Sequence, residues 1–76
     1  MIDAEDIGGT WYMSGNEDKP CRIQPRGRDR AIFTNEHGDS VEGYVRGNLI
    51  TVPKWNLTAR IEEGTIRWSN RSIWTR

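Results

Sequence analysis

The sequence predicts an all-β fold: a small up-and-down antiparallel β-barrel of six to eight short strands, with a short N-terminal helical turn. Three observations predict it. Turn-forming clusters such as Gly15-Asn16, Gly27-Arg28-Asp29, His37-Gly38-Asp39, Gly47-Asn48 and Glu63-Gly64 recur about every 8–12 residues. The segments between them alternate apolar and polar residues, the pattern of strands with one wet face. No window places apolar residues at helical spacing over three turns.

Taken in order, residues 2–7 form the one plausible helical turn. Residues 10–14 begin the strands, with Trp11 and Met13 on one face. Residues 20–26 set Cys21 and Ile23 against Arg22, Gln24 and Arg26, and residues 30–35 pair Ala31 with Phe33. Residues 40–46 align Val41, Gly43 and Val45, with Glu42, Tyr44 and Arg46 opposite. Residues 49–55 are apolar on both faces, and Pro53, which cannot donate to a ladder, ends or bulges that strand. Residues 57–62 align Leu57, Ala59 and Ile61; residues 65–69 pair Ile66 with Trp68; residues 72–76 alternate around Trp74. Up to eight short strands in an open sheet leave exposed edges, and closure removes them.

Length sets the scale. Residues 1–76 suffice for a single β-barrel domain, and a chain this small buries only about 60% of the surface its unfolded form exposes. A two-domain enzyme, a dinucleotide-binding unit and a TIM barrel are excluded by size. Mean hydropathy is −0.81, and no apolar run approaches the length of a spanning helix, so no membrane is expected among the partners. The opening residues carry no signal-peptide pattern, and Cys21 is the only cysteine, so a cytoplasmic location and a free thiol are expected. Eleven basic and eleven acidic residues sum to zero net charge. Residues 1–18 carry five acids and no base, whereas residues 19–76 carry all eleven bases against six acids. An electrostatic partner is therefore to be sought on the body of the chain.

Gly9-Thr10-Trp11-Tyr12 at the head of the first strand resembles the G-x-W signature of the calycin group, which includes lipocalins and avidins. The resemblance implies an N-terminal turn before the strand, a Trp plugging the closed barrel end, and a basic residue from the last strand lying across it. Residues 2–7, Trp11 and Arg76 (or Arg67) match those roles. Residues 66–76, with Trp68 and Trp74, also resemble the tryptophan-rich C-terminal hairpin of short bacterial domains of unknown function.

The inventory for chemistry is thin. One Cys and one His cannot build a zinc site of the usual Cys/His kind, and no metal or cofactor is expected. His37 reads as a residue of a solvated turn, and Cys21 reads as a core residue. Glu62 and Glu63 are adjacent on a strand and point to opposite faces. No phosphate-cradling loop precedes a helix. The chain is not expected to be an enzyme and has no catalytic residues to nominate.

Binding remains. Four Trp and two Tyr are more aromatic surface than so small a core encloses. Trp11 and Trp68 read as core. Tyr44, Trp55 and Trp74, with Arg46 beside them, form the candidate contact surface for a small molecule or sugar, with Lys54 or Arg71 as further neighbours. A second reading is single-stranded nucleic acid, drawn by Arg22, Arg26, Arg28 and Arg30, although Asp29 interrupts that stretch and the sequence pI is about 6.6. A third is a protein-interaction or self-association module, the chain being a monomer or a weak homo-oligomer.

Overall fold

The computed structural model describes residues 4–76. Eight antiparallel strands close into one barrel in sequence order: β1 (Gly9–Met13), β2 (Pro20–Pro25), β3 (Arg30–Thr34), β4 (Ser40–Arg46), β5 (Leu49–Val52), β6 (Leu57–Glu62), β7 (Thr65–Trp68) and β8 (Ile73–Thr75). Each strand pairs with its successor, and β8 pairs back with β1. The expected N-terminal turn is a 3-10 turn over Ala4–Ile7; residues 2 and 3, also expected in it, lie outside the described residues. The expected fifth strand stops at Val52, because Pro53 opens a 3-10 turn over Pro53–Trp55. Asn56 closes that turn in the left-handed region, with φ 54° and ψ 40°, a conformation its short polar side chain tolerates.

Alternation determines what faces inward. On β2, Cys21 and Ile23 are buried while Arg22 and Gln24 face water. On β6, Ala59 and Ile61 are buried while Thr58 and Arg60 are exposed. The inward side chains form one continuous core, with Phe33, Ile50, Ile66 and Val52 enclosed near its centre. Strands of three to seven residues make a short barrel, and an eight-stranded barrel is just wide enough for its own side chains to fill.

Two positions require glycine, one for its backbone angle and one for space. Gly9 has φ +118°, which L residues rarely adopt, and it turns the chain from the 3-10 turn into β1. Gly43 faces the core on β4, where a Cβ would lie 2.6 Å from the Phe33 ring and 3.0 Å from Val52. The phenyl ring occupies the space that a side chain at 43 would need.

Candidate functional site

An up-and-down barrel sends alternate hairpins to opposite ends, and the two ends here differ. At one end the chain plugs itself. Trp11 is buried, and its indole N–H donates to the Ile7 carbonyl over 2.8 Å. The Arg76 guanidinium lies 4.4 Å from the centre of the Trp11 ring. Its Nη2 donates to the carbonyl oxygens of Asp6 at 3.2 Å and Gly8 at 3.1 Å. A cation over an indole face is attracted by the ring quadrupole. One guanidinium thereby ties the C-terminal end of the chain to both the plug and the 3-10 turn. Arg67, the other residue matched to the covering role, instead donates from Nε to Glu62 over 2.8 Å.

At the opposite end lies a pocket of about 290 Å³. The connections β1–β2, β3–β4, β5–β6 and β7–β8 all arrive here, and the pocket takes residues from each side of the mouth. Met13 comes from the end of β1, Glu36 from the β3–β4 turn, and Trp55 from the turn after β5. Trp68 and Trp74 come from the hairpin of β7 and β8, with Asn70 and Ser72 from its turn. Trp68 is central: its ring centre is 4.8 Å from Trp74, 6.2 Å from Trp55 and 5.9 Å from Phe33 below. The two outer contacts are tilted or edge-on, the geometry indole quadrupoles favour over flat stacking. Trp68 is 5% exposed, and its indole N–H is buried without a hydrogen-bond partner among the described residues. Leaving such a donor unpaired costs about 1–3 kcal/mol.

The β3–β4 turn is built by Asn35, whose side-chain oxygen accepts from the backbone N–H groups of His37 at 2.9 Å and Asp39 at 3.0 Å. That Asx turn aims Glu36 back at the barrel and His37 out to solvent. The Glu36 side chain is only 16% exposed, against 77% for His37, and the two side chains stand 3.5 Å apart. Among the described residues, Glu36 is the one charged residue lining this pocket. Its charge is felt by Cys21 on β2. Burial first, and the Glu36 carboxylate second, push the Cys21 thiol from 9.0 up to about 11, with backbone hydrogen bonds from Met13 and Glu36 working the other way. Cys21 is thus a protonated, buried thiol near neutral pH and a poor nucleophile. Among the described residues, no group of three or more His, Cys, Asp or Glu could hold a metal ion. No helix among them is long and apolar enough to cross a membrane.

The residues singled out from the sequence divide between two places. Trp55 and Trp74 both line the end pocket, Trp55 half-buried at the rim and Trp74 only 2% exposed. Tyr44, 47% exposed, and Arg46 lie on the outer wall beside Leu49 and Asp29, in a separate depression. Lys54 and Arg71 are exposed in the turns flanking the tryptophan pocket and do not line it. The sequence places Glu36 with His37 in a solvated turn and gives Trp68 to the core alone, whereas the Glu36 side chain is only 16% exposed. Hairpin parity carries the missing signal. Once eight consecutive strands are assumed, the turns holding Glu36, Trp55 and Asn70 must share one end.

No protein-family model matches this chain, and neither a curated protein nor a solved structure matches it.

Proposed function

We propose that the chain is a non-enzymatic binding module that takes a small molecule in the tryptophan-lined end of its barrel. One observation carries the reading: three indoles and a shielded carboxylate converge on a cavity at one end, while at the other the single indole, Trp11, is buried beneath Arg76. Small-molecule sites are concave and mostly apolar, with a few polar groups that fix orientation. Trp55 offers a partly exposed ring for stacking on a sugar or planar ligand, and Asn35, Asn70 and Ser72 offer hydrogen bonds around it. The plugged end also has a hollow, of about 530 Å³. There, however, the one indole is already covered by Arg76. The G-x-W opening and the arginine over Trp11 support a calycin-like reading of the barrel. A lone thiol such as Cys21 fits a cytoplasmic setting.

Chemical-shift mapping against a library of glycans and metabolites tests the proposal. The expected result is perturbation of the Trp55, Trp68 and Trp74 indole N–H signals by a common ligand. Perturbations confined to the outer wall, or to Trp11, would overturn it.

A second reading rests on the strand register. Arg46 pairs with Leu49, Leu49 with Arg60, and Arg60 with Arg67, so three arginines share one row on the outer face of β4 to β7. Arg60 and Arg67 stand directly opposite, a like-charge pairing that destabilises a sheet; Glu62 pairs with Arg67, and a polyanion would relieve the remaining repulsion. Tyr44 on β4 adds an exposed ring beside this row. Single-stranded nucleic acid is the alternative partner. Its binding should weaken steeply with salt, and a flat salt response removes this reading.

A further inference from the structure

We propose that the end pocket is selective for a small organic cation, an ammonium or methylated ammonium group, and that Glu36 is its counter-ion. The inference rests on the small-molecule reading above and narrows it to a ligand class.

Nine of the described residues line the pocket, and Glu36 is the one acidic or basic side chain among them. Its carboxylate is largely shielded from water, yet it makes no salt bridge to a lysine or arginine among the described residues. The neighbour at 3.5 Å is His37, an exposed imidazole that carries charge only when protonated. Eleven Lys and Arg are available in this chain, and none is placed in the pocket. A partly desolvated carboxylate without a fixed cation is costly, and a cationic ligand would offset that cost.

The remaining walls suit the same ligand. Trp55 presents a half-buried ring at the mouth, and Trp68 and Trp74, 5% and 2% exposed, line the wall behind it, with ring centres 6.2 Å (Trp55 to Trp68) and 4.8 Å (Trp68 to Trp74) apart. Indole is the strongest aromatic partner for a cation, and cages of such rings recognise quaternary and methylated ammonium groups. Met13 and Leu57 supply apolar contact for methyl groups. An anion meets the opposite conditions here, facing the Glu36 carboxylate and the negative faces of the rings. A neutral sugar gains stacking on Trp55 but leaves Glu36 without a counter-charge. At about 290 Å³ the space suits a compact ligand rather than a drug-sized one.

The test titrates the whole chain with ammonium, tetramethylammonium and choline, and with the neutral alcohol in which carbon replaces the choline nitrogen. Tryptophan fluorescence and indole N–H shifts report binding. Choline is expected to bind at least about ten-fold more tightly than its neutral isostere. Glu36→Gln is expected to bring choline down to the level of the isostere, with near-ultraviolet circular dichroism confirming that the variant is folded. Trp55→Ala is expected to weaken both ligands. Equal binding of cation and isostere, or no effect of Glu36→Gln, overturns the cation assignment while leaving a small-molecule pocket in place. Failure of all three cations, with a neutral library compound still shifting the indole signals, has the same meaning. If neither the cations nor any library compound moves those signals, the small-molecule reading falls with it.

Discussion

Gly43 shows how far single residues constrain this core. It faces inward on β4 between Val41 and Val45, and it pairs across the sheet with Ala31. Two small residues face each other there because Phe33, two positions along β3, lays its ring over Gly43. The backbone at 43 is ordinary strand, so the requirement is space and not a special dihedral angle. Ala ordinarily suits a strand better than Gly, since Gly loses more chain entropy on folding. Here the contact dominates, because a ring packed on several sides cannot retreat by several tenths of an ångström at no cost. Gly43→Ala should destabilise the fold by about 1–3 kcal/mol in chemical denaturation. Adding Phe33→Leu should recover part of that loss, because the two sites share one volume. A Gly43→Ala variant as stable as the parent would show that Phe33 has room to move.

Strand elements were readable where alternation is clean and unreadable where a turn decides. Residues 40–46 and 57–62 match β4 and β6 end to end, since their apolar positions keep a strict period of two. Residues 49–55 do not, because Pro53, Lys54 and Trp55 leave the ladder for a 3-10 turn. Apolar content alone suggests continued burial there, but the missing proline N–H ends the pairing. The last strand is also shorter than residues 72–76 suggest, with β8 only Ile73–Thr75. That shortness concentrates risk at the closing seam. β1 and β8 share two residue pairs, Tyr12 with Thr75 and Met13 with Trp74, where β3 and β4 share five. Arg76 follows immediately and fastens the seam through Trp11 and the Asp6 and Gly8 carbonyls. Arg76→Ala should cost about 1–2 kcal/mol, combining an exposed cation–π contact with lost hydrogen bonds. In hydrogen exchange, β8 amides should open earliest among the strands, and Arg76→Ala should speed them more than β3 or β4 amides. Uniform acceleration across all strands would mean that the seam is not a separate unit of stability.

At the scale of the whole molecule, the barrel was legible and its working end only partly so. The up-and-down order follows from turn spacing, and the eight strands observed are the upper bound of the six to eight that spacing allows. The meeting of Glu36 with Trp55 and Trp74 depends on closure, which brings together turns about 20 residues apart that no local pattern links. Tyr44 separates from those tryptophans for the same reason: it alternates outward with Glu42 and Arg46, whereas the pocket is built from turn and end residues. Closure also makes the seams interchangeable in principle. The Arg76 side chain reaches the backbone of the Ala4–Ile7 turn, so the two ends of the barrel strand order lie close together. Gly47 and Asn48 form an exposed two-residue connection between β4 and β5. Opening the chain there leaves a seam of three residue pairs, Tyr44 with Thr51, Val45 with Ile50 and Arg46 with Leu49, one more than the natural seam has. A circular permutant that joins Arg76 to Ala4 through a Gly/Ser linker and begins at Asn48 should therefore fold. Its expected signature is one cooperative unfolding transition, parent-like tryptophan emission, and a stability loss of about 1–3 kcal/mol from the added loop and the new ends. The linker must leave the Arg76 guanidinium on Trp11; if it does, the indole N–H signal of Trp11 keeps its position. A permutant that collapses without cooperative unfolding would show that the β4–β5 turn is needed to set the register of the barrel, and that closure is not carried by the pairings alone.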